Sequence, residues 1–263
     1  MFALCKQVIP YLEGTLSPAE RESTKVSSND IKDINSIKDI KDNTEQWLTG
    51  TEQDRNTIQQ LYQSLQKMSP QAGNAYWMTR TWDLLCWQPM YIAFIAIYGL
   101  KKTPDFNYFK QRHQHDSVVG FVFQAHNMKG DEPEQLISSA AQQLKTLFEH
   151  YRLQLDTLHR CRPGYVKRLI ADLVLGNLLK VKQHVPDFTE QDLQRHAEKW
   201  LTELGLPTNL ISALVISDNK PTKHIRSSCC LTYKANNDIC GNCPKQFKNK
   251  KSELKANVRL IQS

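Results

Sequence analysis

The sequence predicts an α+β protein that is predominantly helical, with a short antiparallel β-hairpin or small sheet and a compact cysteine module near its carboxy terminus. Three observations predict it. Apolar residues recur at helical spacing over most of the stretch from Trp47 to Leu204, while β-branched and aromatic residues concentrate in one segment, Phe106 to His126. Four of the seven cysteines crowd into the fifteen residues from Cys229 to Cys243. No strand–helix–strand alternation is visible, and neither Gly-x-Gly-x-x-Gly nor a Walker loop is present, so the chain offers no dinucleotide or nucleotide phosphate cradle.

The elements follow in order. Residues 17–43 are polar, contain the near-repeat Ile-Lys-Asp-Ile-Asn-Ser-Ile-Lys-Asp-Ile-Lys-Asp and lack a sustained apolar face, which predicts a mobile insert or surface loop. From Trp47 to Met68, Ile58, Leu61, Tyr62, Leu65 and Met68 keep helical spacing, and a second helix runs through a Trp-rich segment to Leu100, closed by Gly99 and Pro104. Phe106 to His126 predicts a hairpin turning at His115-Asp116. After Pro133 one apolar face, Leu136 to Leu158, predicts the longest helix, ending at Pro163-Gly164. Val166 to Val185 repeats the pattern up to Pro186. Thr189 then caps a helix carrying Leu193, Trp200, Leu201 and Leu204, which Gly205 and Pro207 terminate. The resulting division is an amino-terminal segment 1–46, a helix-rich domain 47–219 and a basic cysteine module 220–263.

Composition narrows the function classes. The amino terminus has no basic region followed by a long apolar stretch, and the most apolar run, Pro89 to Leu100, is far short of the ~20 residues that cross a bilayer. The expectation is a cytoplasmic protein without a membrane span. Net charge is +7, yet residues 220–263 carry ten Lys or Arg against Asp238 and Glu253, leaving the other residues close to neutral. A nucleic-acid patch is disfavoured, because no aromatic-and-basic stripe or helix-turn-helix pattern accompanies that charge and four cysteines sit inside it.

Cys5, Cys86 and Cys161 are scattered and read as small buried hydrophobes or idle thiols. The remaining array is Cys229-Cys230, nine residues, then Cys240-Gly-Asn-Cys243-Pro. In a cytosolic chain such density points to metal rather than disulfides. Structural zinc and an iron–sulfur cluster both take four thiolates. Zinc knuckles bring two Cys-x2–4-Cys chelate loops, whereas adjacent cysteines in an extended segment point to opposite sides and suit the two ends of a diiron rhomb. Cys240-Gly-Asn-Cys243 can form one tight chelate with Gly241 permitting the turn. Which cysteines share an iron is not readable from spacing, and the residues alone leave both metals open.

The carboxy-terminal Cys-Cys pair followed by Cys-x-x-Cys, on a helix-rich chain of this length, resembles the FhuF-like family of ferric-siderophore reductases. The motif covers Cys229 to Cys243, with a spacer one residue shorter than in the best-known member. A looser likeness in element order runs from about Trp77 onward. The resemblance implies that Cys229, Cys230, Cys240 and Cys243 hold a [2Fe–2S] cluster that reduces ferric siderophores by single electrons, Fe(II) being released because hard oxygen donors hold it poorly. With no nucleotide site, the reducing equivalents would come from an external donor such as a ferredoxin or a flavin NAD(P)H reductase.

Beyond the ligands, Lys223, Arg226 and Lys234 are the cations near an anionic centre, placed to raise its potential or to dock an acidic donor or an anionic ferric complex. Lys245, Lys248, Lys250, Lys251 and Lys255 read as a solvated tail. Trp77, Arg80 and Trp82 offer a cationic, aromatic substrate face, against the plainer reading of a Trp-rich core helix. His113, His115 and His126 read as exposed hairpin residues. The four ligands are expected near the surface, with one edge accessible. Two other classes compete: an iron–sulfur sensor of iron or oxidant status, and a structural zinc module for protein assembly.

Overall fold

The computed structural model describes residues 14–16, 46–123, 129–130, 132–217 and 220–247. In chain order these form β1 (Gly14–Leu16), β2 (Gln46–Leu48), α1 (Asp54–Met68), α2 (Asn74–Phe94), β3 (Lys102–Thr103), β4 (Lys110–Gln114), β5 (Ser117–Phe123) and β6 (Lys129–Gly130). There follow α3 (Pro133–Leu158), α4 (Pro163–His184), α5 (Glu190–Glu203), β7 (Leu214–Ser217), β8 (Lys220–His224) and the single turn α6 (Tyr233–Asn236). The class is α+β, mostly helical, as the periodicity predicts. Residues 17–43, the five cations from Lys248 to Arg259, Cys5 and His126 lie outside the described residues.

Helix α2 is the axis of the molecule. It packs on α1, α3, α4 and β5, and its side chains from Tyr76 to Phe94 are largely buried. Pro89 lies inside it and cannot donate an N–H to the Leu85 carbonyl one turn earlier. The fold supplies a substitute from another element: Gln111 of β4, fully buried, donates its Nε2 to Leu85 O at 2.8 Å and to Tyr151 Oη at 3.0 Å. Its Oε1 accepts from Gln88 Nε2 at 3.1 Å, which leaves Gln88 Oε1 as the buried atom of this polar cluster without a hydrogen bond. A π-helical turn, Ile95–Gly99, ends the helix.

The main sheet has the order β1-β5-β4-β2, with β1 parallel to β5 and the other pairs antiparallel. The hairpin between β4 and β5 turns at His115-Asp116, with Gln114 paired to Ser117 and His115 in the left-handed region at φ 56°. Three details differ from the sequence reading. Trp47 lies in a strand, and helix α1 begins only at Asp54, whose buried carboxylate accepts Thr49 N (2.8 Å), Gly50 N (3.0 Å) and His150 Nε2 (3.0 Å). Phe106–Tyr108 forms a 3-10 turn closed by Asp105 rather than strand. The 46/47 division falls inside β2, and the 219/220 division falls inside the β7–β8 hairpin.

The carboxy-terminal helices match their signals closely. Pro133 and Pro163 each occupy the first turn of a helix, where a missing N–H costs nothing. Thr189 caps α5 with a reciprocal box, its hydroxyl accepting Asp192 N at 3.1 Å while Asp192 accepts Thr189 N at 3.0 Å. Gly205, at φ 64°, follows that helix. Strand β8 packs on α4 and delivers the chain to the cysteine segment.

Candidate functional site

The segment from Ile225 to Phe247 is a loop-rich module laid against α4. Its approach is fixed by one buried carboxylate: Asp172 of α4 accepts Ser227 N at 2.6 Å and Ser228 N at 2.9 Å, the two N–H groups just before Cys229. Arg168 Nε adds a bond to Ser228 Oγ (3.3 Å), and Tyr165 Oη donates to Cys229 O (3.1 Å). Leu231 follows the cysteine pair in the left-handed region (φ 62°), which turns the chain sharply. On the other side Arg226 N bonds Asn242 O at 3.0 Å, joining the two cysteine-bearing stretches, and Gln71 Nε2 reaches Ala235 O at 3.1 Å.

These tethers gather the four cysteines. Cys229 Sγ lies 3.8 Å from Cys243 Sγ, and Cys230 Sγ lies 3.8 Å from Cys240 Sγ. The adjacent cysteines thus reach different partners, and the short pairs run between the two stretches. The chelate read from Cys240-Gly-Asn-Cys243 is a backbone turn, Cys243 N to Cys240 O at 2.9 Å, and Gly241 is not in the left-handed region, so that turn does not depend on glycine. Each pair has one well-buried member, Cys243 or Cys230, and one partly exposed member, Cys229 or Cys240. Among the described residues no group of three or more His, Cys, Asp or Glu side chains is placed to hold a metal ion.

The electrostatics of the sulfurs are uneven. Burial pushes the Cys229 thiol up, and burial together with the neighbouring Cys230 pushes Cys240 up to about 12. Burial acts the same way on Cys230, but the Thr232 hydroxyl at 3.1 Å and the Arg226 guanidinium outweigh it and hold that thiol below its ordinary value. Arg226 is the part-buried cation beside the module: it feels Cys230 and Cys240 as well as Asp83 and Asp172, with its Nε 3.8 Å from Asp172 Oδ2, while the exposed Lys245 faces Cys229 and Cys243. Burial pushes the Asp83 carboxyl up to about 6, against the pull of Arg226 and Arg80.

The other sequence candidates distribute differently. Lys223 and Lys234 are exposed on β8 and α6. Trp77 and Trp82 are core residues: the Trp77 indole donates to Ser69 O at 2.9 Å and meets Tyr62 edge-on, and Trp82 meets Phe148 edge-on. Arg80 is exposed, so these three do not assemble into one face. His113 is buried rather than exposed, bonding Gln46 and His115 O, because the pairing of β2 on β4 covers it. Cys86 and Cys161 are fully buried small residues, as read. Lys245 is exposed and sits over the Tyr233 ring at 3.7 Å.

Sequence reasoning missed a groove beside the module. It measures about 490 Å³ and is bounded by Tyr62 of α1, the amino-terminal part of α2, the α3–α4 turn with Tyr165, and the turn at Cys229 and Leu231. Its wall is mostly apolar and aromatic, with Tyr62 stacked on His159 at 3.6 Å. No local pattern marks it, since its residues come from four separate stretches of the chain. No family model matches the chain, and no solved structure matches it. Fold and site together define an α+β protein carrying a four-cysteine module at its surface.

Proposed function

We propose that the chain is a one-electron reductase of ferric siderophores, working through a [2Fe–2S] cluster held by Cys229, Cys230, Cys240 and Cys243. The observation that carries this reading is the pairing of the sulfurs at 3.8 Å. Two thiolates on one tetrahedral metal, with bonds of ~2.3 Å, stand ~3.8 Å apart. Each pair joins one cysteine of Cys229-Cys230 to one of Cys240 and Cys243, and Cys240 also faces Cys243, an arrangement that offers two thiolates to each of two irons. The donors fit as well: Thr232 Oγ1 to Cys230 (3.1 Å) and Leu231 N to Cys229 (3.4 Å) are the hydrogen bonds that stabilise ligand thiolates.

When bound, such a cluster supplies and accepts single electrons. The chain's own residues set the conditions. Cys229 and Cys240 leave an edge open to a donor and to a bulky acceptor, Arg226 compensates the negative charge of the thiolates, and Asp172 holds the approach to Cys229 in place. The resemblance of the motif to the FhuF-like family supplies the substrate class, a ferric complex with hard oxygen donors, and the absence of a Gly-rich dinucleotide motif assigns the electron supply to a ferredoxin or flavin NAD(P)H reductase. No described helix is long and apolar enough to cross a membrane. The test is anaerobic mixing of the reduced protein with a ferric siderophore in the presence of a ferrous chelator. Stoichiometric ferrous trapping with reoxidation of the protein is expected; a reduced protein that leaves every ferric chelate untouched refutes the reading.

A further inference from the structure

Resting on that reading, we propose that the groove beside Cys229 is the docking site for the ferric complex, and that it selects anionic chelates with aromatic donor rings, of the tris-catecholate type. Two cations and the aromatic wall make the case. Arg160 and Arg162, flanking the buried Cys161 in the α3–α4 turn, line the groove and are exposed, and no Asp or Glu lines it. Among the described residues neither guanidinium has a hydrogen-bond or ion-pair partner. Two uncompensated guanidinium groups over an apolar floor attract an anion and repel a cationic chelate, and a planar guanidinium meets a pair of catecholate oxygens through two N–H donors.

The aromatic wall answers the rings. Tyr62 and His159, stacked at 3.6 Å with 14° between planes, present flat surface, and Tyr165 closes the end nearest the cysteines. Volume agrees: about 490 Å³ admits a face of a hexadentate chelate and is within the range of small-molecule sites. Tyr165 also fixes distance, because its hydroxyl, bonded to Thr79 Oγ1 at 3.0 Å, donates to the Cys229 carbonyl at 3.1 Å. A complex seated on Tyr165 therefore lies against the residue that carries the exposed ligand sulfur. A trihydroxamate complex, neutral or cationic and without rings, finds neither the charge nor the stacking surface.

The experiment uses redox-inert gallium(III) complexes, so that binding is read apart from electron transfer. Titration of the full-chain protein, followed by intrinsic tryptophan fluorescence and calorimetry, compares a trianionic gallium tris-catecholate with a gallium trihydroxamate. The tris-catecholate is expected to bind at least about tenfold tighter, the effect of one charge-assisted hydrogen bond, and the Arg160→Glu/Arg162→Glu double variant is expected to lose that preference while Arg160→Lys/Arg162→Lys keeps part of it. Because both side chains are exposed, an unchanged thermal melt checks that the variants fold. Equal binding of the two chelates, or a preference untouched in the double glutamate variant, overturns the proposal. Ferric reduction is measured in parallel: indiscriminate reduction without gallium selectivity sinks the groove and spares the reductase, whereas selective gallium binding without any ferric reduction sinks the reductase and leaves the groove standing.

Discussion

At the scale of single residues, Gln111 and Pro89 show how a side chain repairs a helix. The Leu85 carbonyl loses its helical partner to Pro89, and Gln111 from a neighbouring strand donates to it instead. Gln111→Leu should cost ~2–3 kcal/mol by leaving buried acceptors and donors unpaired, and the penalty should shrink when Pro89→Ala restores an N–H one turn below. Urea unfolding of the two single variants and the double checks this, and strictly additive effects would show that the two residues do not serve the same carbonyl. Arg226 is the second residue with a specific consequence, since it compensates both Cys230 and Cys240. Arg226→Ala is expected to lower the reduction potential by about 60 mV, a tenfold change for a one-electron couple. Lys234→Ala, on the exposed α6, is expected to leave it unchanged. A potential that moves equally in both variants would assign the effect to general surface charge.

At the scale of elements, helix boundaries were written locally and strand partners were not. Pro133, Pro163, the Thr189-Asp192 box and Gly205 carry their own stop and start signals, so α3, α4 and α5 could be read to within a few residues. β1 and β2 could not, because three-residue strands have no periodicity and exist only through pairing with β5 and β4. The same pairing buried His113, which a lone hairpin would expose. Helix α5 also carries a pH dependence. Trp200 donates to Tyr98 Oη at 3.1 Å, which leaves the Tyr98 hydroxyl to donate to His196 Nδ1 at 2.9 Å, and that nitrogen must be unprotonated to accept. Burial, aided by Arg195, holds the His196 pKa below its ordinary 6.5, so the unfolded chain takes up a proton that the fold refuses. The contribution is complete above pH 6.5 and is lost as the pH falls toward the folded value. Denaturant midpoints between pH 7.5 and 5.5 should therefore fall less steeply in His196→Gln than in the parent; identical slopes would remove His196 as the source.

At the scale of the whole molecule, the cysteine module is not an appendage. On one face of α4, Asp172 and Tyr165 hold the backbone before and at Cys229 and Arg168 holds the Ser228 side chain, and none of the three stands out in the sequence, because a buried carboxylate on an amphipathic helix announces nothing until its partners arrive from more than fifty residues away. The cysteine identities were legible because ligand spacing is local; the sulfur pairs and the groove were not, because both depend on how α4 receives the module. Asp172→Ala should therefore raise amide hydrogen exchange throughout 225–243 while the core of α2 and α3 stays protected. Unchanged exchange in that segment would show that the tether is dispensable.

The central claim, that these four cysteines hold a diiron cluster, is tested most directly by metal and sulfide analysis of protein purified without oxygen, joined to its visible and electron-paramagnetic-resonance spectra. The account predicts coloured protein with iron and acid-labile sulfide in equal amounts and a signal that appears on one-electron reduction, all lost in Cys230→Ser and Cys243→Ser. Colourless protein carrying a single zinc and no sulfide would contradict it.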